Sequence, residues 1–99
     1  MPLQHIVLLK TRPGLDGRAF DRILTDAQKK LATIPGVSNL RAGVSADSNS
    51  AWNIALSMDF ADQEALEAYR AHPVHVAYVQ DNLDENVVER KALDFLMDG

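Results

Sequence analysis

The chain has 99 residues, with 10 Lys+Arg against 14 Asp+Glu, a net charge of −4 and no cysteine. One domain fits this length, burying roughly 60–70% of its unfolded surface, so a partner that covered more would add stability. The acidic balance argues against nucleic acid or an anionic membrane as partner, since neither attracts a negative chain. The missing thiols exclude disulfides, thiolate metal ligands and a cysteine nucleophile. Met1-Pro2 leads straight into a strand pattern without a basic and then apolar leader. No apolar run nears the ~20 residues of a membrane span, and a soluble, cytoplasmic protein is expected.

Leu3 to Thr11 reads as a strand, with His5, Val7 and Leu9 on one face and Ile6 and Leu8 on the other. Apolar residues on both faces mark a strand covered on two sides. Thr11-Arg12-Pro13-Gly14 breaks it, and Asp16 is a good N-cap for the helix that follows. In that helix Phe20, Ile23, Leu24, Ala27, Leu31 and Ile34 recur at helical spacing, until Pro35-Gly36 stops it. Val37 to Ala46 forms a second strand, and Asp47-Ser48-Asn49-Ser50 a turn. Ala51 to Phe60 is a third, where Trp52, Ile54, Leu56, Met58 and Phe60 alternate strictly with smaller or polar residues. Ala61 to Ala71 is a short helix with Asp62 and Glu64 at the positive end of its dipole. Pro73 opens another helix, to about Leu83, and Val87 to Leu96 is the last strand.

The order β-α-β-β-α-α-β is that of a ferredoxin-like α+β domain with an antiparallel sheet, its second helix broken at His72-Pro73. Helices can cover only one face of such a sheet, yet Ile6 and Leu8 are apolar on the other. A second copy of the same chain is the simplest cover, so a homodimer is expected.

All three histidines of the chain are His5, His72 and His75, two of them in the block His72-Pro73-Val74-His75. Histidine titrates near neutrality and is the usual carrier of proton transfer or metal ligation. The spacing argues against metal, because His72 and His75 straddle a helix start and no H-E-x-x-H is present. No phosphate cradle and no G-x-S-x-G elbow occurs either. By helical phase His75 lies roughly 55° from the centre of the apolar face of Val76, Val79 and Leu83, at the edge of the buried side.

Gln4-His5-Ile6-Val7-Leu8-Leu9-Lys10, Ile34-Pro35-Gly36-Val37, Glu67-Ala68-Tyr69-Arg70-Ala71-His72-Pro73-Val74-His75 and Leu93-Asp94-Phe95 resemble, in order and spacing, the stress-responsive A/B barrel (Dabb) family. The resemblance covers nearly the whole chain and implies one Dabb domain over residues 1–99. It further implies monomers that pair sheet to sheet into a dimeric α/β barrel, each keeping a pocket between its helices and its own sheet. A stress-related role is implied only by the family's name. One branch, the plant polyketide cyclases that make olivetolic acid, works as cofactor-free aldol cyclases. Similarity to that branch implies acid/base roles for His5, Tyr69 and His75, with Asp94 orienting His75. Leu24 and Ala27 stand where that branch has aromatic rings, and Arg70 replaces an apolar residue, so the cyclase substrate does not carry over.

The expected pocket is small and largely apolar, lined by His5, Val7, Leu9, Leu24, Leu40, Leu56, Tyr69 and His75. His72, beside Pro73, caps or orients the helix start and is counted with the ligand-binding candidates. Three functions fit: binding of a small apolar or carbonyl-bearing molecule; cofactor-free acid/base catalysis with His75 as base and Tyr69 and His5 polarising a carbonyl; and a structural dimer whose histidines are satisfied core residues. No cofactor and no metal is expected in any of them.

Overall fold

The strict alternation of the third strand survives in the computed structural model, which describes residues 1–98: Ile54, Leu56, Met58 and Phe60 are buried, and the residues between them are not. This strand (β3, Ile54–Phe60) lies between β2 (Ser38–Val44) and β1 (Leu3–Thr11), and β1 is flanked on its other side by β4 (Val87–Leu96). All three pairings in the order β2-β3-β1-β4 are antiparallel. Three helices, α1 (Gly17–Lys30), α2 (Gln63–Ala71) and α3 (Pro73–Tyr78), complete the ferredoxin-like α+β fold.

Side chains fix the ends of these elements. Asp16 accepts from the Arg18 amide at 2.7 Å and Asp62 from the Ala65 amide at 2.9 Å, each satisfying a donor that helix geometry leaves free. Pro35 and Gly36 occupy the two central positions of the turn closed by Val37 N to Ile34 O at 3.2 Å. Gly36 has φ +92°, which a type II turn demands at its third residue and which a side chain disfavours.

Several boundaries differ from the periodicity reading. β3 begins at Ile54 rather than Ala51, because Asn53 turns its side chain to Thr11, donating to the Thr11 hydroxyl at 2.6 Å and accepting from its amide at 3.0 Å. β2 is trimmed to Ser38–Val44, with its register against β3 shifting where Asn39 takes φ +52°. The first helix tightens after Lys30 into a 3-10 turn, Leu31–Thr33. The last helix is α-helical only to Tyr78 and then widens into a π turn, Val79–Leu83. Among the described residues no helix is long and apolar enough to cross a membrane.

The core lies between the sheet and the helices, where Leu9, Ile23, Ala27, Ile54 and Leu66 are fully enclosed with Phe60, Tyr69 and Tyr78. Each fully buried Leu or Ile contributes about 1.5–3 kcal/mol. Tyr78 also ties α3 to α1 by donating its hydroxyl to the Ile23 carbonyl at 2.7 Å. The opposite sheet face has no such cover. Ile6, Leu8 and Leu93 are half-buried there, and Phe95 is 47% exposed.

Candidate functional site

Antiparallel pairing of β1 with β4 sets His5 directly opposite Asp94, Val7 opposite Ala92 and Leu9 opposite Arg90. Side chains of directly opposed residues share a sheet face, and for these pairs it is the helix-covered one. His5 is 4% exposed and donates from Nδ1 to Asp94 Oδ1 at 2.5 Å. A carboxylate oxygen only accepts, so the proton is on Nδ1 and Nε2 is left as an acceptor. Among the described residues no sealed side-chain N or O lacks a partner. His5 Nε2 has no partner among these residues and therefore opens onto free space. Asp94 spends its other oxygen on Arg70 Nη2, at 3.2 Å.

His75, the third residue of the short helix α3, stands across the same space. Its Nδ1 donates to the Arg70 carbonyl at 3.1 Å, so it too presents Nε2 as an acceptor. Burial lowers its pKa below the ordinary 6.5 against the opposing pull of the Arg70 carbonyl, and the nearby Arg70 and Arg90 cations lower it further. A neutral imidazole at neutral pH results. The linkage has a definite sign. The unfolded chain takes up this proton at a higher pH than the folded one, so stability should fall as pH drops below about 6.5 and be restored above it. Denaturant midpoints measured between neutral pH and about pH 5 should show this loss, and His75→Gln should remove part of it.

Tyr69 lies behind the two imidazoles, its ring centroid 4.6 Å from that of His75, 6.1 Å from His5 and 5.1 Å from Phe60. Burial raises its phenol pKa despite the neighbouring Arg70 cation, so the group is a neutral O–H donor. No protein acceptor takes that proton among the described residues, whereas the Tyr78 hydroxyl is committed to Ile23.

His5, Val7, His75 and Ala92 border a cavity of about 280 Å³ between the sheet and α3. Arg70, Arg90, Val79 and Leu83 complete its wall. The π turn brings Val79 and Leu83 there together, and such widened turns recur at functional sites. A second hollow of about 280 Å³, bordered by Val76, Gln80 and Asp84, shares Arg70, His75 and Val79 with the first. A larger hollow, about 490 Å³, is on the other sheet face among Gln4, Arg41, Ser57 and Asp59, away from the histidines.

Several expected placements need correcting. Asp94 bonds His5 and Arg70, not His75, because strand register puts it opposite His5 while α3 turns His75 Nδ1 to the helix preceding it. None of Leu9, Leu56 and Leu24 borders the histidine cavity: Leu9 and Leu56 are sealed in the core, and Leu24 is packed against that core. Leu40 does the same from edge strand β2 and borders the polar hollow. His72 acts as a cap, its Nδ1 accepting from the Val74 amide at 3.1 Å. Val7 borders the cavity. Missing from the expectation were Arg70 and Arg90. Arg90 had a readable signal, since it shares the β4 alternation of Ala92 and Asp94.

The family model described as the stress responsive A/B barrel domain matches residues 3–97. A Dabb family protein with a ferredoxin-like fold from Mesorhizobium loti is 30% identical, covering 99% of this chain and 98% of its own, with a TM-score of 0.86. A dimeric protein of unknown function and ferredoxin-like fold from Bacteroides fragilis is 25% identical, with 97% and 96% covered and a TM-score of 0.80. The hydroxynitrile lyase of Passiflora edulis shares the fold at a TM-score of 0.84 with 14% identity, over 98% of this chain and 94% of the lyase. No curated protein sequence matches significantly. With its fold and nearly its whole length matched, the chain belongs to the stress responsive A/B barrel domain (Dabb) family.

Proposed function

We propose that the protein is a homodimer whose protomers each bind one small, mainly apolar molecule in the cavity between β1, β4 and α3. The observation that carries this reading is the make-up of the wall. Val7, Val79, Leu83 and Ala92 supply apolar surface, while two imidazoles offer unspent acceptors toward the same space. A few placed polar groups in an apolar hollow are what a small-molecule site needs, and about 280 Å³ suits a ligand of one ring. Dimerisation is supported by the Bacteroides fragilis relative, a dimeric protein, and the uncovered face of Ile6 and Leu8 is the surface we assign to it.

Titration with acetophenone, a neutral one-ring carbonyl, tests the pocket. Amide shifts in NMR should move at Val7, Val79 and Ala92, and Ala92→Phe, which fills the hollow, should abolish them. Shifts that are absent, or that persist in Ala92→Phe, count against the pocket.

A second reading is favoured by the His5–Asp94 bond. A carboxylate that fixes the tautomer of an imidazole and steadies its cation is the arrangement of a general base. On that reading His5 or His75 removes a proton from a bound hydroxyl or from carbon beside a carbonyl, without a cofactor. The hydroxynitrile lyase shows that a protein of this fold performs lyase chemistry.

A further inference from the structure

Among the described residues no carboxylate borders the histidine cavity, although the chain carries a net charge of −4. Two guanidiniums do, Arg70 and Arg90. Asp94 is occupied by His5 and Arg70, and Asp84 belongs to the neighbouring hollow. Arg70 gives Asp94 a single N–H, at 3.2 Å, out of the five a guanidinium has. The Arg90 guanidinium makes no hydrogen bond among the described residues. Its approach to Asp84 is 3.7 Å between two half-exposed side chains, a pair too weak to hold it. Both cations are therefore free to turn donors toward a ligand.

The imidazole end of the cavity has the opposite preference. His5 and His75 give away their Nδ1–H groups and present lone pairs, which repel an anionic oxygen. One end of the hollow thus attracts an anion and the other rejects it. We propose that the ligand is a small organic carboxylate, its charge held by Arg70 and Arg90 and its apolar body against Val79, Leu83 and Ala92. This rests on the pocket reading above and adds the charge of the ligand to it.

Benzoate and benzamide have nearly the same shape and differ in charge, so the pair isolates the arginines. Titrated into the full chain and followed by NMR, benzoate should bind about five- to tenfold more tightly than benzamide, as a charge-assisted contact at a half-exposed site allows. Arg90→Gln should remove most of that preference while leaving benzamide binding unchanged, and Arg70→Gln should reduce it as well. Benzamide binding as well as benzoate overturns the carboxylate and leaves the pocket standing. A benzoate preference untouched in both variants overturns the assignment to these arginines. If neither compound binds, and acetophenone does not either, the pocket itself is refuted along with its ligand class.

Discussion

Ile6→Lys should sediment at half the mass of the wild-type chain at micromolar concentration. Ile6 is central in β1, opposite Ser57 on one side and Leu93 on the other, and with Leu8, Leu93 and Phe95 it forms the apolar part of the uncovered sheet face. Obligate homodimer interfaces often exceed ~2,000 Å² and resemble a divided core. An unpaired lysine at the middle of one costs several kcal/mol per protomer, and twofold symmetry places two of them there. The helix-side core does not touch this position, so the direct damage is to association. A chain of 99 residues has little stability to spare, however, and a large fall in Tm should accompany the loss of mass. Glu64→Lys, which puts a lysine on the exposed side of α2 and shifts the charge by two units rather than one, should leave the mass unchanged. A wild-type monomer, or an Ile6→Lys dimer, would refute assembly through this face.

That face was legible because β1 is apolar on both sides, and a residue alternation of period 2 leaves little freedom in assigning faces. The sheet order followed from the element order for the same reason. The ends of elements were less legible. Trp52 continues the alternation of β3 in sequence, yet the strand starts at Ile54, since Asn53 is held by Thr11 from a distant strand. Such a contact between residues 42 apart leaves no local trace. At the site, the histidines stand out by their scarcity and His75 by its helical phase, but a His75 partner for Asp94 follows only from resemblance. The antiparallel register offered a better guide. Aligning the ends of β1 and β4 pairs Leu3 with Leu96, and the same alignment pairs His5 with Asp94. Leu9, Leu24 and Leu56 read as pocket residues from sequence because face alone does not separate a cavity wall from a sealed core. Depth along the strand does, and depth depends on where the helices cross.

Asp94→Asn and Asp94→Ala should part company in a way that identifies what the His5–Asp94 bond is for. Asparagine keeps an oxygen that can accept the His5 Nδ1–H, so the ring stays in place, but the negative charge beside the imidazole is gone. Alanine removes the acceptor as well, leaving a ring N–H without a partner on a residue only 4% exposed. That group then costs about 1–3 kcal/mol, visible as a lower denaturant midpoint in Asp94→Ala and largely absent in Asp94→Asn. Loss of Arg70's contact is common to both variants and small, because that side chain is about half exposed. If the imidazole works as a base, both variants should also lose about 10²–10⁴-fold in turnover. Mandelonitrile, a hydroxynitrile, is a suitable probe: the base takes the hydroxyl proton, the bond to the nitrile carbon breaks, and benzaldehyde and hydrogen cyanide leave. Wild-type cleavage above the buffer rate, lost in Asp94→Asn at unchanged stability, is the expected result for a carboxylate that serves the imidazole's chemistry. A stability loss in Asp94→Ala with no cleavage by any of the three proteins assigns the pair to holding β4 against β1, and the acid/base reading then loses its main support.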